Sequence, residues 1–289
     1  MLKPFTVLRK DKVDTIAIGS FDGIHLGHME LIRKLGENGA LFVIDKDQAN
    51  LTPGIKRSEY SKYPCMFYHF LKLKDLSGEE FITLLTKEFT HLIKIVVGYD
   101  FMFGNGRTCN AYDLQKLFDG VVEVVPEFFH KGISVHSSII RDFLLEGKIE
   151  EANSFLGREF AIGGDVIKGQ GLGSKSLYAT LNISIKDYIL PKSGVYATRT
   201  RIGSDYFDSV SFIGNRETTD GSFAIETHIL DKQIQAPQNL DIFFVKYLRD
   251  NKKFDSLEAL KNQISEDIKN AKEVLKVCRC LGAYHLDFL

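Results

Sequence analysis

The chain has 289 residues, about twice a typical domain, and its 37 Lys+Arg against 38 Asp+Glu leave a formal net charge of −1. That neutrality excludes the cationic surplus of a bulk nucleic-acid or anionic-membrane binder, and no apolar run approaches the ~18 residues of a membrane span. Hydrophobic residues, at 44%, leave ample material for a core. Arg9, Lys10, Asp11 and Lys12 interrupt what would be the apolar stretch of a signal peptide. Cys65, Cys109, Cys278 and Cys280 include no pair at CxxC spacing, so neither a zinc knuckle nor a redox motif is expected. A cytoplasmic protein, monomeric or weakly oligomeric, with no nucleic-acid or membrane partner, is the expectation.

In chain order, Asp14-Thr-Ile-Ala-Ile-Gly19 is a short apolar run ending at glycine, and a helical pattern follows from Gly27 to about Leu35. Ala40–Asp45 predicts a second buried strand. Ser77-Gly-Glu-Glu80 is a capping box that opens a helix whose Phe81, Leu84, Leu85 and Phe89 form one apolar face. Leu92–Gly98 and Val121–Val125 predict a third and a fourth strand. Strand, crossover and strand repeated in this way predict an α/β parallel sheet with helices on both faces, whose ligands bind at the carboxyl ends of strands. Two helical patterns follow, Ser137–Leu145 and Ile149–Leu156. From Ala161 to about Val245 come short β-rich runs with glycine turns, which predict a small antiparallel β-barrel. Lys252–Val277 is amphipathic, with Leu257, Leu260, Ile264, Ile268 and Ala271 at helical spacing. The change of pattern divides the chain into modules 1–157 and 158–289.

Gly19-Ser-Phe-Asp-Gly-Ile-His-Leu-Gly-His28 follows the first strand and runs into a helix. Its backbone N–H groups and the helix N-terminus make an anion site, with Gly19 and Gly23 permitting tight turns beside Ser20, Phe21 and Asp22. His25 and His28, three apart, can both face one bound anion and stabilise charge moving onto a phosphoryl group. The plainer readings are a helix cap for one histidine and an HxxH zinc pair, the latter lacking a third ligand nearby. Val97-Gly-Tyr-Asp-Phe-Met-Phe-Gly104 closes a later strand, and Asp100 alone reads as a solvated turn residue. His136-Ser-Ser-Ile-Ile-Arg141 opens another helix; Ser137 and Ser138 alone read as N-caps, with Arg141 one turn in.

In the second half, Gly169-Gln-Gly-Leu-Gly-Ser-Lys-Ser176 nearly spells a phosphate-binding P-loop, but Ser174 takes the required second glycine and a strand-like segment follows. A P-loop NTPase is therefore rejected. Gly169, Gly171, Gly173 and Lys175 can still form a loop that covers phosphates, or simply a hairpin tip. Glu226 by itself reads as the solvent-facing residue of an alternating strand.

Taken together and in order, these segments resemble the prokaryotic bifunctional riboflavin kinase/FMN adenylyltransferase (FAD synthetase) family. The decapeptide resembles its G-x-F-D-G-x-H-x-G-H motif, Val97–Gly104 its V-G-x-D-F-x-F-G, and 136–141 its S-S-T-x-I-R, with His136 for the first Ser. Arg107 sits where the family has a basic residue. The glycine loop is similar to the kinase flap, and Ala179-Thr-Leu-Asn182 to P-T-A-N with Thr180 and Asn182 kept. Ile213-Gly-Asn-Arg-Glu-Thr218 is similar to I-G-x-R-P-T, Ala224–Asp231 to the E-x-H-x-x-D segment, and Tyr247-Leu-Arg249 to its sequel. The family's F-E-P-H-P is replaced around Val43–Asp47, while Leu51-Thr-Pro53 fits the stretch after it.

The resemblance implies ATP-dependent phosphorylation of riboflavin to FMN in the barrel and adenylation of FMN to FAD, with release of pyrophosphate, in the α/β module. It implies Glu226 as general base, Thr180 and Asn182 holding Mg²⁺ and ATP, and Arg249 touching the flavin. For adenylation it implies His25, His28 and Arg141 as catalytic groups. Gly19–Gly23, Gly98, Asp100, Ser137 and Ser138 would bind the nucleotide. The altered 179–182 segment also admits an adenylyltransferase whose barrel only binds flavin. A non-catalytic flavin sensor fits less well, since binding alone does not need both histidines, Arg141 and Glu226.

Overall fold

The apolar runs read from the sequence become the middle of a parallel sheet. The computed structural model describes residues 8–47, 50–168, 178–218 and 220–280. Strands β1 (Thr15–Gly19), β2 (Gly39–Asp45), β3 (Cys65–His69), β4 (Lys94–Gly98) and β5 (Val121–Val125) lie in the order β3-β2-β1-β4-β5, all pairs parallel. Strand order changes direction between β1 and β4, and such a switch point opens a crevice at the strands' carboxyl ends. Successive residues of β1 serve opposite faces. Ile16 and Ile18 pack with Phe81, Leu85 and Leu114, whereas Ala17 packs with Leu31, Ile32 and Leu35.

Helices α1 (Leu26–Ile32), α2 (Lys56–Ser61), α3 (Gly78–Glu88) and α4 (Ala111–Leu117) connect these strands. The expected capping box opens α3: Glu80 N donates to Ser77 Oγ at 3.1 Å and Ser77 N to the Glu80 carboxylate at 2.7 Å. Two expectations are corrected. The sheet has five strands rather than four, because Cys65-Met-Phe-Tyr-His69 pairs at the edge with one exposed face. Such a strand lacks the continuous apolar run by which a central one is recognised. β4 starts at Lys94, not Leu92.

Backbone contacts group the chain into two units, Met1–Ser137 and Ser138–Leu289. The second holds nearly all of α5 (Ser137–Glu146), then α6 (Ile149–Leu156), a barrel and the long helix α7 (Leu257–Cys280). Strands β6 (Phe160–Ile167), β7 (Leu181–Ser184), β8 (Gly194–Ile202), β9 (Asp205–Asn215), β10 (Phe223–Ile229) and β11 (Asn239–Arg249) close in the order β6-β7-β10-β9-β8-β11, antiparallel throughout. Asn153, on α6, is 1% exposed and fastens helix to barrel: its Nδ2 donates to Phe244 O at 2.8 Å, and Phe160 N donates to its Oδ1 at 2.7 Å. On the outer face, Ala271 and Leu275 of α7 pack on Val195, Ala197, Val210 and Val245.

The alternate residues of those strands are fully buried and mostly hydroxylic: Thr198, Thr200, Ser209, Ser211 and Thr227 are all 0% exposed. They bond one another, Thr198 Oγ1 lying 2.8 Å from both Ser209 Oγ and Ser211 Oγ. Thr200 Oγ1 meets Ser209 Oγ at 2.8 Å, and Ser211 Oγ meets Thr227 Oγ1 at 2.9 Å. A closed hydroxyl network is tolerable in a core only when every member is paired.

Thr198→Val keeps the shape but withdraws the oxygen shared by Ser209 and Ser211. It should destabilise the barrel unit by about 1–3 kcal/mol, the usual consequence of orphaning buried hydroxyls. A thermal melt checks this: the barrel transition should fall by several degrees, and an unchanged midpoint would show the network to be dispensable.

Candidate functional site

The loop after β1 is strained and held from behind. Phe21 (φ 49°), Gly23 (φ 94°) and Ile24 (φ 40°) take left-handed backbone conformations, uncommon for phenylalanine and isoleucine. Asp22 is 4% exposed; its two carboxylate oxygens accept from Leu51 N at 3.2 Å and Thr52 N at 3.0 Å. Arg57, 2% exposed, donates through Nε to Ser20 O at 3.1 Å and through Nη2 to Asn50 Oδ1 at 3.0 Å. Ser137 Oγ donates to Asp22 O at 2.7 Å. The tight turn is thus over-determined by its neighbours, which is how strain persists in a folded protein.

The loop delivers both histidines to one place. His25 caps α1, its Nδ1 accepting from His28 N at 3.2 Å, so Nε2 is the nitrogen that carries the proton in the neutral ring. The two imidazoles stack at 3.6 Å between centroids, 14° from parallel, with Phe21 5.2 Å from His28. Gly27 permits this packing, since a Cβ there would come within 3.3 Å of the His25 ring and of Val135 O.

Gly19, Ser20, Phe21, His25 and His28 line a cavity of about 610 Å³ together with Gly98, Asp100, Arg107 and Ser137. Its remaining wall includes Phe70, Phe81, Phe101 and Phe103, a surface suited to a flat aromatic ligand, and the cations Lys46 and Lys74. Tyr99 is at the edge, its phenol pushed up by burial and by the nearby Glu127 carboxylate. Asp22 and Gly23 do not line the cavity; Asp22 supports it from beneath. Ser138 and Arg141 follow on α5, Arg141 one turn beyond Ser137 and hence on the same helix face. Cys65 is no reactive centre, since burial pushes its thiol up to about 12.

On the barrel, Asn182 of β7 stands opposite Glu226 of β10 in the antiparallel ladder, so the two side chains share one face. Thr227, next to Glu226, belongs to the interior hydroxyl network, which leaves Glu226 on the outer side, about one-fifth exposed. Asn182 lines a second cavity of about 500 Å³ with Ile167, Ile185, Tyr188, Arg216 and Phe223. Thr180 precedes β7 and is exposed. Gly169, Gly171, Gly173 and Lys175 lie outside the described residues. Arg249 is engaged by α7: Nε and Nη2 reach the two carboxylate oxygens of buried Asp267 at 2.8 and 2.6 Å. Its guanidinium therefore braces β11 against α7.

Sequence reasoning missed Arg57, whose burial is not legible because Lys56-Arg57 reads as surface charge. Lys46, Lys74 and the phenylalanine wall were missed because their elements converge only in the fold. Arg216 stood in a recognised motif, but no pattern signalled its partners.

Residues 156–275 match the flavokinase family, described as riboflavin kinase, and residues 59–139 match the FAD synthetase family. The bifunctional riboflavin kinase/FMN adenylyltransferase of Escherichia coli K12 is 30% identical over 288 residues, covering 89% of this chain and 91% of its own. The corresponding protein of Buchnera aphidicola from Acyrthosiphon pisum is 32% identical over 285 residues, covering 88% and 90%. A crystal structure of a protein described as a macrolide-efflux protein from Streptococcus pneumoniae is similar with a TM-score of 0.80 at 25% identity, covering 90% of this chain and 94% of that one. Among the described residues here, no helix is long and apolar enough to cross a membrane. With both family matches in order and relatives 30% and 32% identical over about nine-tenths of each chain, the chain belongs to the bifunctional riboflavin kinase/FMN adenylyltransferase family.

Proposed function

We propose that this chain makes FAD from riboflavin in two ATP-dependent steps, with residues 158–289 carrying the kinase and residues 1–157 the adenylyltransferase. The observation that supports the reading is that residues of each motif set lie at a cavity of their own. The histidines and Gly19–Phe21 converge at the switch point of the sheet, and Asn182 lies beside Glu226 on the barrel.

In the barrel, Glu226 takes the proton of the riboflavin 5′-hydroxyl as that oxygen attacks the γ-phosphorus of ATP; ADP leaves. Phosphoryl transfer asks mainly for positioning and charge stabilisation. Thr180 and Asn182 offer the hydroxyl and carbonyl oxygens that a hard cation takes; Asn182 Oδ1 also accepts from Arg216, so Mg²⁺ there would be held largely by substrate phosphates. Bound there, Mg²⁺ supplies charge neutralisation on the transferring group.

In the α/β module, an FMN phosphate oxygen attacks the α-phosphorus of ATP and pyrophosphate leaves, with no covalent enzyme intermediate. The N–H groups of the β1–α1 loop, His25 and His28 stabilise charge on the phosphates, and Ser137 lines the same cavity; support for Ser138 and Arg141 is confined to their motif. Gly98 leaves room for the nucleotide and Asp100 offers acceptors to its ribose or base. The phenylalanine wall suits the isoalloxazine ring. Support for Arg249 as a flavin contact is confined to its motif, since Asp267 occupies its fork. The neutral surface and small-molecule substrates fit a cytoplasmic enzyme, monomeric or weakly oligomeric.

Incubation with riboflavin, ATP and Mg²⁺, followed by mass spectrometry of the products, should yield FMN and then FAD. A protein that adenylates supplied FMN but never phosphorylates riboflavin would sink the kinase half. Chelation of Mg²⁺ should abolish FMN formation and its return should restore it.

Single substitutions should separate the two reactions. Glu226→Gln keeps size but removes the base, so FMN formation should fall by roughly 10²–10⁴ while FAD formation from FMN stays near normal. His28→Ala should do the reverse, lowering adenylation by about 10²–10³ and sparing the kinase. Loss of both reactions from either variant, with thermal melts showing it folded, would mean a shared site.

A further inference from the structure

Arg216, the residue after β9, is bound from several sides on the barrel's outer face. Its Nε donates to Glu226 Oε1 at 2.7 Å, and its Nη2 lies 2.5 Å from the same oxygen. Nη2 also donates to Asn182 Oδ1, and Nη1 to Ser222 Oγ at 2.8 Å. The main chain is fixed as well: Arg216 N donates to Ser222 O at 2.9 Å and Gly221 N to Arg216 O at 3.1 Å. Ser222 is in turn held by Asp220 Oδ1, which accepts from its N at 3.1 Å and its Oγ at 2.8 Å. One guanidinium thus joins β7, β10 and the turn between β9 and β10, at the rim of the cavity that Asn182 lines.

Both donors that reach the carboxylate fall on one oxygen, Oε1. A carboxylate clamped through one oxygen has its plane, and so the direction of the other oxygen, set by the clamp. Stability alone is a poor reason for this pair, because arginine and glutamate are each only about one-fifth exposed and the cost of desolvating both charges offsets much of their attraction. Nη2 alone reaches Glu226 and Asn182, but Nε and Nη1 reach Glu226 and Ser222 from the same plane, and the single nitrogen of a lysine cannot span all three partners.

We propose that Arg216 is the positioning residue of the kinase base: it clamps Glu226 through Oε1, and Oε2 is the oxygen that receives the riboflavin hydroxyl proton. This rests on the kinase reading above. Arg216 acts through Glu226, so its contribution vanishes when the base is gone.

The test is a double-mutant cycle on the full chain, reading initial rates of FMN formation from riboflavin and Mg·ATP, with FAD formation from FMN as internal control. Arg216→Ala should lower kcat about 10–100-fold, the scale of a misplaced catalytic group, with KM for riboflavin and ATP changed by less than about threefold. Millimolar guanidinium ion should restore part of that loss. Arg216→Lys should recover only a fraction of the rate. In the Glu226→Gln background, Arg216→Ala should produce no further loss. Adenylation should be unaffected throughout. Should Arg216→Ala not fold, as judged by melting, Arg216→Lys and Arg216→Gln carry the cycle.

Several results overturn the proposal: an unchanged kcat, a further full loss in the double variant, or a defect confined to KM for ATP, which would make Arg216 a phosphate ligand. A wild-type chain that makes no FMN overturns the kinase reading and this inference together. A wild-type chain that makes FMN, with Arg216 variants that keep its kcat, overturns this inference alone.

Discussion

Polar groups taken out of water must be paired, and in this chain that requirement decides where a reactive surface can exist. In the first unit the strained turn after β1 survives because several hidden polar groups behind it are paired, although Arg57 Nη1 is buried without a hydrogen-bond partner among the described residues. Asp22 is held by two backbone N–H groups, Ser20 O by Arg57, and Asp22 O by Ser137. The groups left facing the cavity are then those the chemistry can use, among them the stacked imidazoles. A loop of the same sequence without that backing would relax out of the left-handed conformations at Phe21 and Ile24.

The barrel solves the same problem in another way. Its interior carries a cluster of hydroxyls beside buried residues such as Ile213 and Ile225, and the hydroxyls satisfy one another in a closed set. Because strand residues alternate, Thr227 inside implies Glu226 outside, and ladder pairing then brings Asn182 beside it. A rigid interior therefore fixes the exterior pair to which Arg216 is tied. Side chains on paired strands are held more tightly than those on loops, which suits a reaction that depends on alignment.

A bifunctional chain also needs two phosphate-handling surfaces that do not resemble each other. One is a helix N-terminus at a parallel sheet, where the helix dipole and backbone N–H groups draw an anion. The other is a β surface with oxygen donors, suited to phosphates that arrive with a cation. Neither needs a net cationic protein, which reconciles a formal charge of −1 with two nucleotide-dependent reactions.

Much of this was legible in the residues. Short apolar runs gave β1, β2 and β4 to within two residues, since strands buried on both faces admit little else. The Ser77–Glu80 capping box is local chemistry and formed as read. The motifs around His25, His28, Thr180, Asn182 and Glu226 stood out through their resemblance to the family's motifs; by itself Glu226 reads as a solvent-facing strand residue. The edge strand Cys65–His69 was not legible, because half-exposed pairing leaves no distinctive run. Arg57 and Arg216 were not, because an arginine's role depends on which acceptors the fold brings within reach, here 37 residues away for Ser20 and 34 for Asn182. Arg249 reads from its motif as a flavin contact, yet the fold sets Asp267 across its fork, 18 residues on. Local spacing determined most elements and the cap, and motif resemblance marked the candidate reactive side chains. Partner choice was decided only by tertiary structure, because a charged side chain binds whichever buried acceptor the folded chain presents to it.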